Sequence, residues 1–284
     1  MLRDYLDSTP ADPSGSAARG AGTAGGRSYD RRVGFEVTVD AYDRFMGRFS
    51  EPLARLFVEW AGVRPGQRAL DVGCGTGALT ARLVELLGTD AVAAVDPSDS
   101  FVAAARARFP GLAISRGVAE ELPHSDDTFD VTLAQLVVHF MTDPVAGLRE
   151  MGRVTRPGGV VAACVWDHAG GTGPLFTFWE GVRDLDPGSP GEAELPGTWE
   201  GHLAELAEAA GLRSVESGAV TVTLRFASFA DWWEPFTLGV GPAGDYVAGL
   251  DEKGRADLAA ACVRRLPPAP FEASATAWCM RARA

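Results

Sequence analysis

The sequence predicts an α/β chain built on a doubly wound, mostly parallel sheet. Three observations carry this. The apolar run Arg68 to Val72 ends in a turn with glycine at alternate positions, Gly73-Cys-Gly-Thr-Gly77, and a helical pattern follows at once. Short apolar runs then alternate with helical patterns as far as Trp166, the order expected of βαβ units. Two later strand patterns, near Val220 to Phe226 and Phe271 to Met280, bring the expected total to seven strands.

Each element follows from its own residues. Residues 8 to 28 are almost devoid of large apolar side chains and cannot offset their ordering entropy, so a flexible tail is expected over 1–34. Tyr42, Phe45, Met46 and Phe49 recur at helical spacing, and a second helix is expected from Pro52 to Trp60. The first crossover helix runs from Ala78 to Leu87, with Leu79, Leu83, Leu86 and Leu87 on one face. Ala91 to Asp96 reads as the second strand, and Ser98 caps the helix after it. Leu112 to Ser115 and Asp130 to Gln135 are the third and fourth strands, followed by a helix over Val145 to Val154. Arg156-Pro-Gly-Gly159 breaks the chain before a fifth strand, Val160 to Trp166. Past Trp166, residues of about 169–200 and 228–266 form two Gly-, Pro- and aromatic-rich insertions, expected to cap the sheet, with a helix from Glu200 to Ala210 between them. The reading is thus one domain over 35–284 with a core at 62–168.

Composition narrows the partners. Net charge is -12 over 284 residues, and Lys253 is the only lysine. Nucleic acid is therefore an unsuitable partner, since its binding needs a basic surface. The four cysteines are scattered without Cys-x-x-Cys spacing, which argues for free thiols rather than a metal site or disulfide framework. With neither a bilayer-length apolar run nor a secretory leader pattern, the expectation is a cytoplasmic protein with no membrane partner. Monomer and homodimer stay open.

The glycine turn is the chemical centre. Gly73, Gly75 and Gly77 allow sharp turning and close approach of a ligand. Asp71 sits at the carboxyl end of its strand, where open α/β sheets bind ligands. The dinucleotide fingerprint Gly-x-Gly-x-x-Gly would put its third small residue at Ala78, which that fingerprint tolerates, so spacing discriminates weakly. Asp71 discriminates better. It would repel a pyrophosphate at the adjacent helix N-terminus and favour a ligand carrying an amine.

Leu70-Asp-Val-Gly-Cys-Gly-Thr-Gly77 resembles the first motif of class I S-adenosylmethionine-dependent methyltransferases. Ala94-Val-Asp-Pro-Ser98 resembles their second motif, and Gly117-Val-Ala-Glu-Glu-Leu-Pro123 with Asp126 to Asp130 their adenine-contacting segment, with Val118 where an Asp is common. Gln135-Leu-Val-Val-His-Phe140 resembles the stretch beneath the reactive sulfonium. The resemblance is to the type 11, ubiquinone/menaquinone-methyltransferase-like branch and covers residues 39 to 167. It implies a Rossmann-like methyltransferase fold with N-terminal helices and a cap, and S-adenosylmethionine as cofactor. By the same resemblance the cofactor would be held by Asp71, Gly73, Cys74, Gly75 and Gly77, by Asp96 and Pro97 at the ribose, by Ala119 and Glu120 at the adenine, and by Gln135. Tyr42-Asp-Arg-Phe-Met-Gly-Arg48 resembles a helix that folds over the cofactor, which offers Tyr42 and Arg48 as contacts, Arg48 to the methionyl carboxylate. The bland alternative makes Tyr42 part of an apolar helix face and leaves Arg48 solvated.

His139 and His168 follow the fourth and fifth strands at the ligand edge and are the candidate general bases. A packed imidazole is the competing account of each. The aromatic residues of the insertions, such as Phe178, Trp179, Trp232 and Trp233, are core of a cap and leave an apolar chamber for a small hydrophobic or aromatic substrate. The expected function is methyl transfer to such a molecule. A non-methylating binder of the same cofactor and an NAD(P)-dependent oxidoreductase are the rivals.

Overall fold

The structure is a computed structural model that describes residues 39–189 and 191–284. The tail expected over 1–34 lies outside the described residues. The chain enters as helix α1 (Val39–Tyr42), continues through a π-helical stretch (Asp43–Gly47) and becomes α2 (Arg48–Ala61) without a gap. Two separate helices were expected here. Pro52 lies inside α2, and the hydrogen bond it cannot donate to Arg48 falls beside the change from π to α winding. The break suggested by proline is thus a change of winding.

Seven strands then form one sheet: β1 (Ala69–Val72), β2 (Val92–Asp96), β3 (Ala113–Arg116), β4 (Phe129–Gln135), β5 (Thr155–Trp166), β6 (Arg213–Phe226) and β7 (Phe271–Arg283). Their spatial order is β3-β2-β1-β4-β5-β7-β6. The pairs from β3 through β5 are parallel, and β7 runs antiparallel between β5 and β6. This is the seven-stranded, mostly parallel sheet expected. The Arg156–Gly159 turn does not precede β5 but is drawn into it. Thr155 already pairs with Phe129, the register shifts between Phe129 and Val131, and Gly158 turns at φ 77°. The tip is clamped by the Arg283 guanidinium, which donates to the Gly158 carbonyl at 3.1 Å.

Every residue of β1 and β2 is buried, as parallel strands covered on both faces require. Helices α2, α3 (Ala78–Leu87) and α4 (Asp99–Arg108) cover one face, through Leu53, Phe57, Leu79, Leu83 and Val102. Helices α5 (Pro144–Val154) and α7 (His202–Ala209) cover the other, through Leu148, Met151, Leu203 and Ala207.

Strand alternation sends Cys164 and Trp166 of β5 to the first face and Ala163 and Val165 to the second. Above the carboxyl end of β5, on Trp166's side, the two insertions meet. Helix α6 (Phe176–Leu185) comes from the first; α8 (Phe229–Trp233), α9 (Gly241–Ala248) and α10 (Glu252–Val263) come from the second. Phe178 of α6 stacks on Phe236 with ring centroids 4.6 Å apart and planes 3° from parallel. Rings from distant parts of the chain therefore form one aromatic roof.

Candidate functional site

The glycine turn is built from backbone bonds. Gly73 has φ 73°, and its amide donates to the Val95 carbonyl at 2.7 Å. A Cβ on Gly73 would stand 2.4 Å from Cγ2 of Val137, so the turn is pressed against the segment after β4. Gly75 differs: a Cβ there meets nothing within 4 Å and would project into open space. The Gly75 amide donates to Oδ2 of Asp96 at 2.9 Å, and the Ser98 amide donates to Oδ1 at 2.8 Å. Burial raises the Asp96 pKa, and these two amides pull it back.

Asp71 sits behind the turn rather than on the cavity. Its Oδ2 accepts from the Thr80 hydroxyl at 2.6 Å, tying the end of β1 to the first turn of α3. Burial pushes its carboxyl up to about 7, against the Thr80 hydrogen bond and helped by the charge of Asp96. Cys74 and Gly77 are likewise structural parts of the turn. Cys74 is buried with its thiol pKa pushed up, and Phe109 packs on Gly77.

One cavity, with an empty volume of about 890 Å³, opens over the carboxyl ends of β2, β1, β4 and β5. Of the residues expected in the site, it brings together Tyr42, Gly73, Gly75, Asp96, Pro97, Gln135, His139 and His168. It does not bring in Arg48, Asp71, Cys74, Gly77, Ala119 or Glu120. Arg48 is held elsewhere. Its guanidinium pairs with the Asp231 carboxylate at 2.9 Å, donates to the Asp231 carbonyl at 3.0 Å, and stacks 4.7 Å from the Phe226 ring centre. Glu120 accepts the amides of Thr142 at 2.8 Å and Asp143 at 3.1 Å, and so braces the entry to α5, while Ala119 is buried beside it.

The entering helix closes one side. Tyr42 meets Phe101 edge to face at 5.2 Å, and burial with the nearby Asp96 charge pushes its hydroxyl up to about 12. The Thr76 hydroxyl donates to Asp43 at 2.7 Å, which pins the π-helical stretch to the glycine turn. Gln135 ends β4 with its Nε2 donating to the Ser50 carbonyl at 3.0 Å, whereas its Oε1 is buried without a hydrogen-bond partner in the structure.

The opposite end is aromatic. Phe45, Trp166 and Leu175 line it, with Val240 to Ala243 from the second insertion. His139 is buried, its Nδ1 has no hydrogen-bond partner, and its ring lies 6.1 Å from that of His168. Burial lowers both imidazoles below their ordinary pKa, His139 far below; the charges of Glu192 and Asp167 partly restore His168.

Three features of this wall escaped the sequence reading. Glu192, only 4% exposed, lines the cavity from the first insertion. Leu136, lining it after β4, holds a left-handed φ of 61°, a strained conformation of the kind that clusters at working sites. Val240 to Ala243 arrive from a stretch with no motif. Glu192 and Val240 to Ala243 depend on how the insertions fold back, and the backbone angle of Leu136 is set by the close packing after β4; local pattern encodes neither.

The sheet order, the glycine turn at β1 and the acid at the end of β2 together define a class I methyltransferase fold. Residues 70–163 match the family described as methyltransferase domain. An uncharacterized methyltransferase of Mycobacterium tuberculosis is 39% identical over 138 residues, 49% of this chain and 54% of that protein. A demethylmenaquinone methyltransferase of Beutenbergia cavernae is 37% identical over 159 residues, 56% of this chain and 60% of that protein. The chain thus spans a little over half the length of these relatives. Among solved structures, the Haemonchus contortus phosphoethanolamine N-methyltransferase 2, in complex with phosphomonomethylethanolamine and S-adenosylhomocysteine, aligns with TM-score 0.53 at 16% identity, over 86% of this chain and 56% of that one. The [4+2]-cyclase SpnF aligns with TM-score 0.51 at 22% identity, over 82% of this chain and 80% of that one. At such identities these two likenesses speak to the fold. Among the described residues no helix is long and apolar enough to cross a membrane.

Proposed function

We propose that this protein moves the methyl group of S-adenosylmethionine to a small hydrophobic or aromatic molecule. The observation that carries the reading is the continuity of the cavity. The glycine turn and Asp96 open directly into an aromatic chamber beneath the insertions. The residues fit the cofactor: Gly75 leaves space where a side chain would stand, and Gln135 Oε1 is an acceptor without a donor.

Asp96 would accept the ribose hydroxyls with the lone pairs its two amide donors leave free. Gly73 and Gly75 would give the methionyl part its clearance, and Tyr42 and Pro97 would close over it. Asp71, Cys74 and Gly77 act through the shape of the turn. Ala119 and Glu120 act through the β3–β4 connection and the start of α5. Bound S-adenosylmethionine would supply an electrophilic methyl carbon. The chain's share is to align the acceptor with it and exclude water, which Phe45, Trp166 and Leu175 do by apolar contact. His139 and His168, both neutral at pH 7, are the groups able to take a proton from a hydroxyl acceptor.

S-Adenosylhomocysteine should raise the melting temperature and NAD(P) should not; the reverse result would sink the reading. Incubation with methyl-labelled S-adenosylmethionine and a cell extract should then yield labelled small molecules. Binding without any labelled product would favour a non-methylating role, since one fold hosts more than one reaction.

A further inference from the structure

The cavity contains a buried carboxylate that the methyl-transfer machinery leaves unused. Glu192 Oε2 accepts the indole N–H of Trp179 at 2.9 Å, and among the described residues this neutral donor is the one hydrogen bond of its side chain. No arginine, lysine or histidine forms an ion pair with it among the described residues. A carboxylate has room for about four donors, and burying one without a cation is costly. Glu192 lines the cavity, close enough to His168 for its charge to act on that ring.

The charge of the whole lining points the same way. Among the described residues its carboxylates are Asp96 and Glu192, and neither arginine nor lysine lines it. Asp96, at the end of β2, is held by the glycine turn and faces the cofactor end. Glu192 stands instead with Trp166, His168 and Leu175, over the end of β5 and beneath the roof, where an acceptor would lie.

We propose that Glu192 is the specificity determinant of the acceptor end: it receives a hydrogen-bond donor, so the cavity takes aromatic molecules bearing an amine or hydroxyl and rejects carboxylates and phosphates. Trp179 fixes the carboxylate's direction, and the apolar wall takes the ring. A carboxylate on the ligand would meet Glu192 as a like charge without water or a cation between them. The term acceptor rests on the methyl-transfer reading; the preference for a donor group does not.

The test uses three probes on one scaffold: naphthylmethylamine, naphthol and naphthoate. Binding is followed by tryptophan fluorescence and by melting temperature, with and without S-adenosylhomocysteine. The amine and the naphthol should bind at least roughly tenfold more tightly than the naphthoate. Glu192→Gln, which keeps an acceptor for Trp179, should bring the amine and the naphthoate to within about threefold of each other. Trp179→Phe removes the neutral donor but not the charge and should keep the wild-type ranking, so a folding failure of one variant leaves the other informative. A naphthoate bound as tightly as the amine, a ranking unmoved by Glu192→Gln, or no binding by any probe would overturn the proposal. No effect of S-adenosylhomocysteine on melting temperature, with the ranking intact, would overturn the cofactor reading alone.

Discussion

Oδ2 of Asp96 accepts the Gly75 amide proton at 2.9 Å, so the end of β2 holds the glycine turn at the end of β1 in place. One carboxylate thus shapes the cavity floor and presents an acidic edge to it. Asp96→Asn keeps the volume but offers one acceptor oxygen to the Gly75 and Ser98 amides. Affinity for S-adenosylhomocysteine, measured by calorimetric titration, should weaken roughly 10- to 100-fold. Unchanged affinity would contradict the assignment.

Two glycines in the same turn should respond differently to one added methyl. Gly73→Ala forces a Cβ onto Val137 at a left-handed φ and should lower folding stability by about 1–3 kcal/mol in urea. Gly75→Ala meets open space, so its cost to the fold should be nearer about 1 kcal/mol, from φ alone. Its main effect should be weaker binding of S-adenosylhomocysteine. Equal loss of stability in both variants would contradict this division.

Asp71 makes stability depend on pH. Burial pushes its folded pKa up to about 7, above the ordinary carboxylate range, so the folded chain keeps a proton the unfolded chain releases. The resulting stabilisation is full below about pH 4 and is lost as pH rises through 7. Between pH 5 and 8 the wild-type urea midpoint should fall relative to that of Asp71→Asn, whose amide does not titrate. Parallel curves for the two proteins would refute the protonated carboxyl.

Arg48 tests the reassignment made by the structure. Its bonds to Asp231 tie α2 to the second insertion, and both side chains are about one-third exposed. Arg48→Ala should cost about 1 kcal/mol of stability and leave S-adenosylhomocysteine affinity within about threefold. A large loss of affinity with unchanged stability would return Arg48 to the methionyl carboxylate.

Heteronuclear NMR of the imidazole nitrogens should find both rings titrating below the ordinary imidazole range, His139 well below it. Either ring titrating at or above 6.5 would show that its burial has been misjudged.

What the sequence made legible follows from how local the signals are. Helix α3 begins and ends where Gly77 and Gly88 flank an apolar period, and Ser98 caps α4 as its hydroxyl position suggests. The glycine turn and Asp96 were readable because they lie at ends of adjacent strands. The pairing of Arg48 with Asp231 was not legible, because Asp231 is 183 residues away and belongs to an element without a motif. Glu192 was invisible for the same reason: its neighbours Trp179 and His168 are joined to it only by the fold-back of the first insertion. The proline at 52 misled because a π-helical stretch absorbs the break.

The family match ends at residue 163, whereas Trp166, His168, Leu175, Glu192 and Val240 all follow it. Apart from the entering helix, which supplies Tyr42 and Phe45, the floor of the cavity and its roof come from successive parts of the chain. Substitutions in the roof can therefore accumulate without disturbing a hydrogen bond of the glycine turn. Such a molecule can change what its covering half admits while the floor beneath keeps its shape.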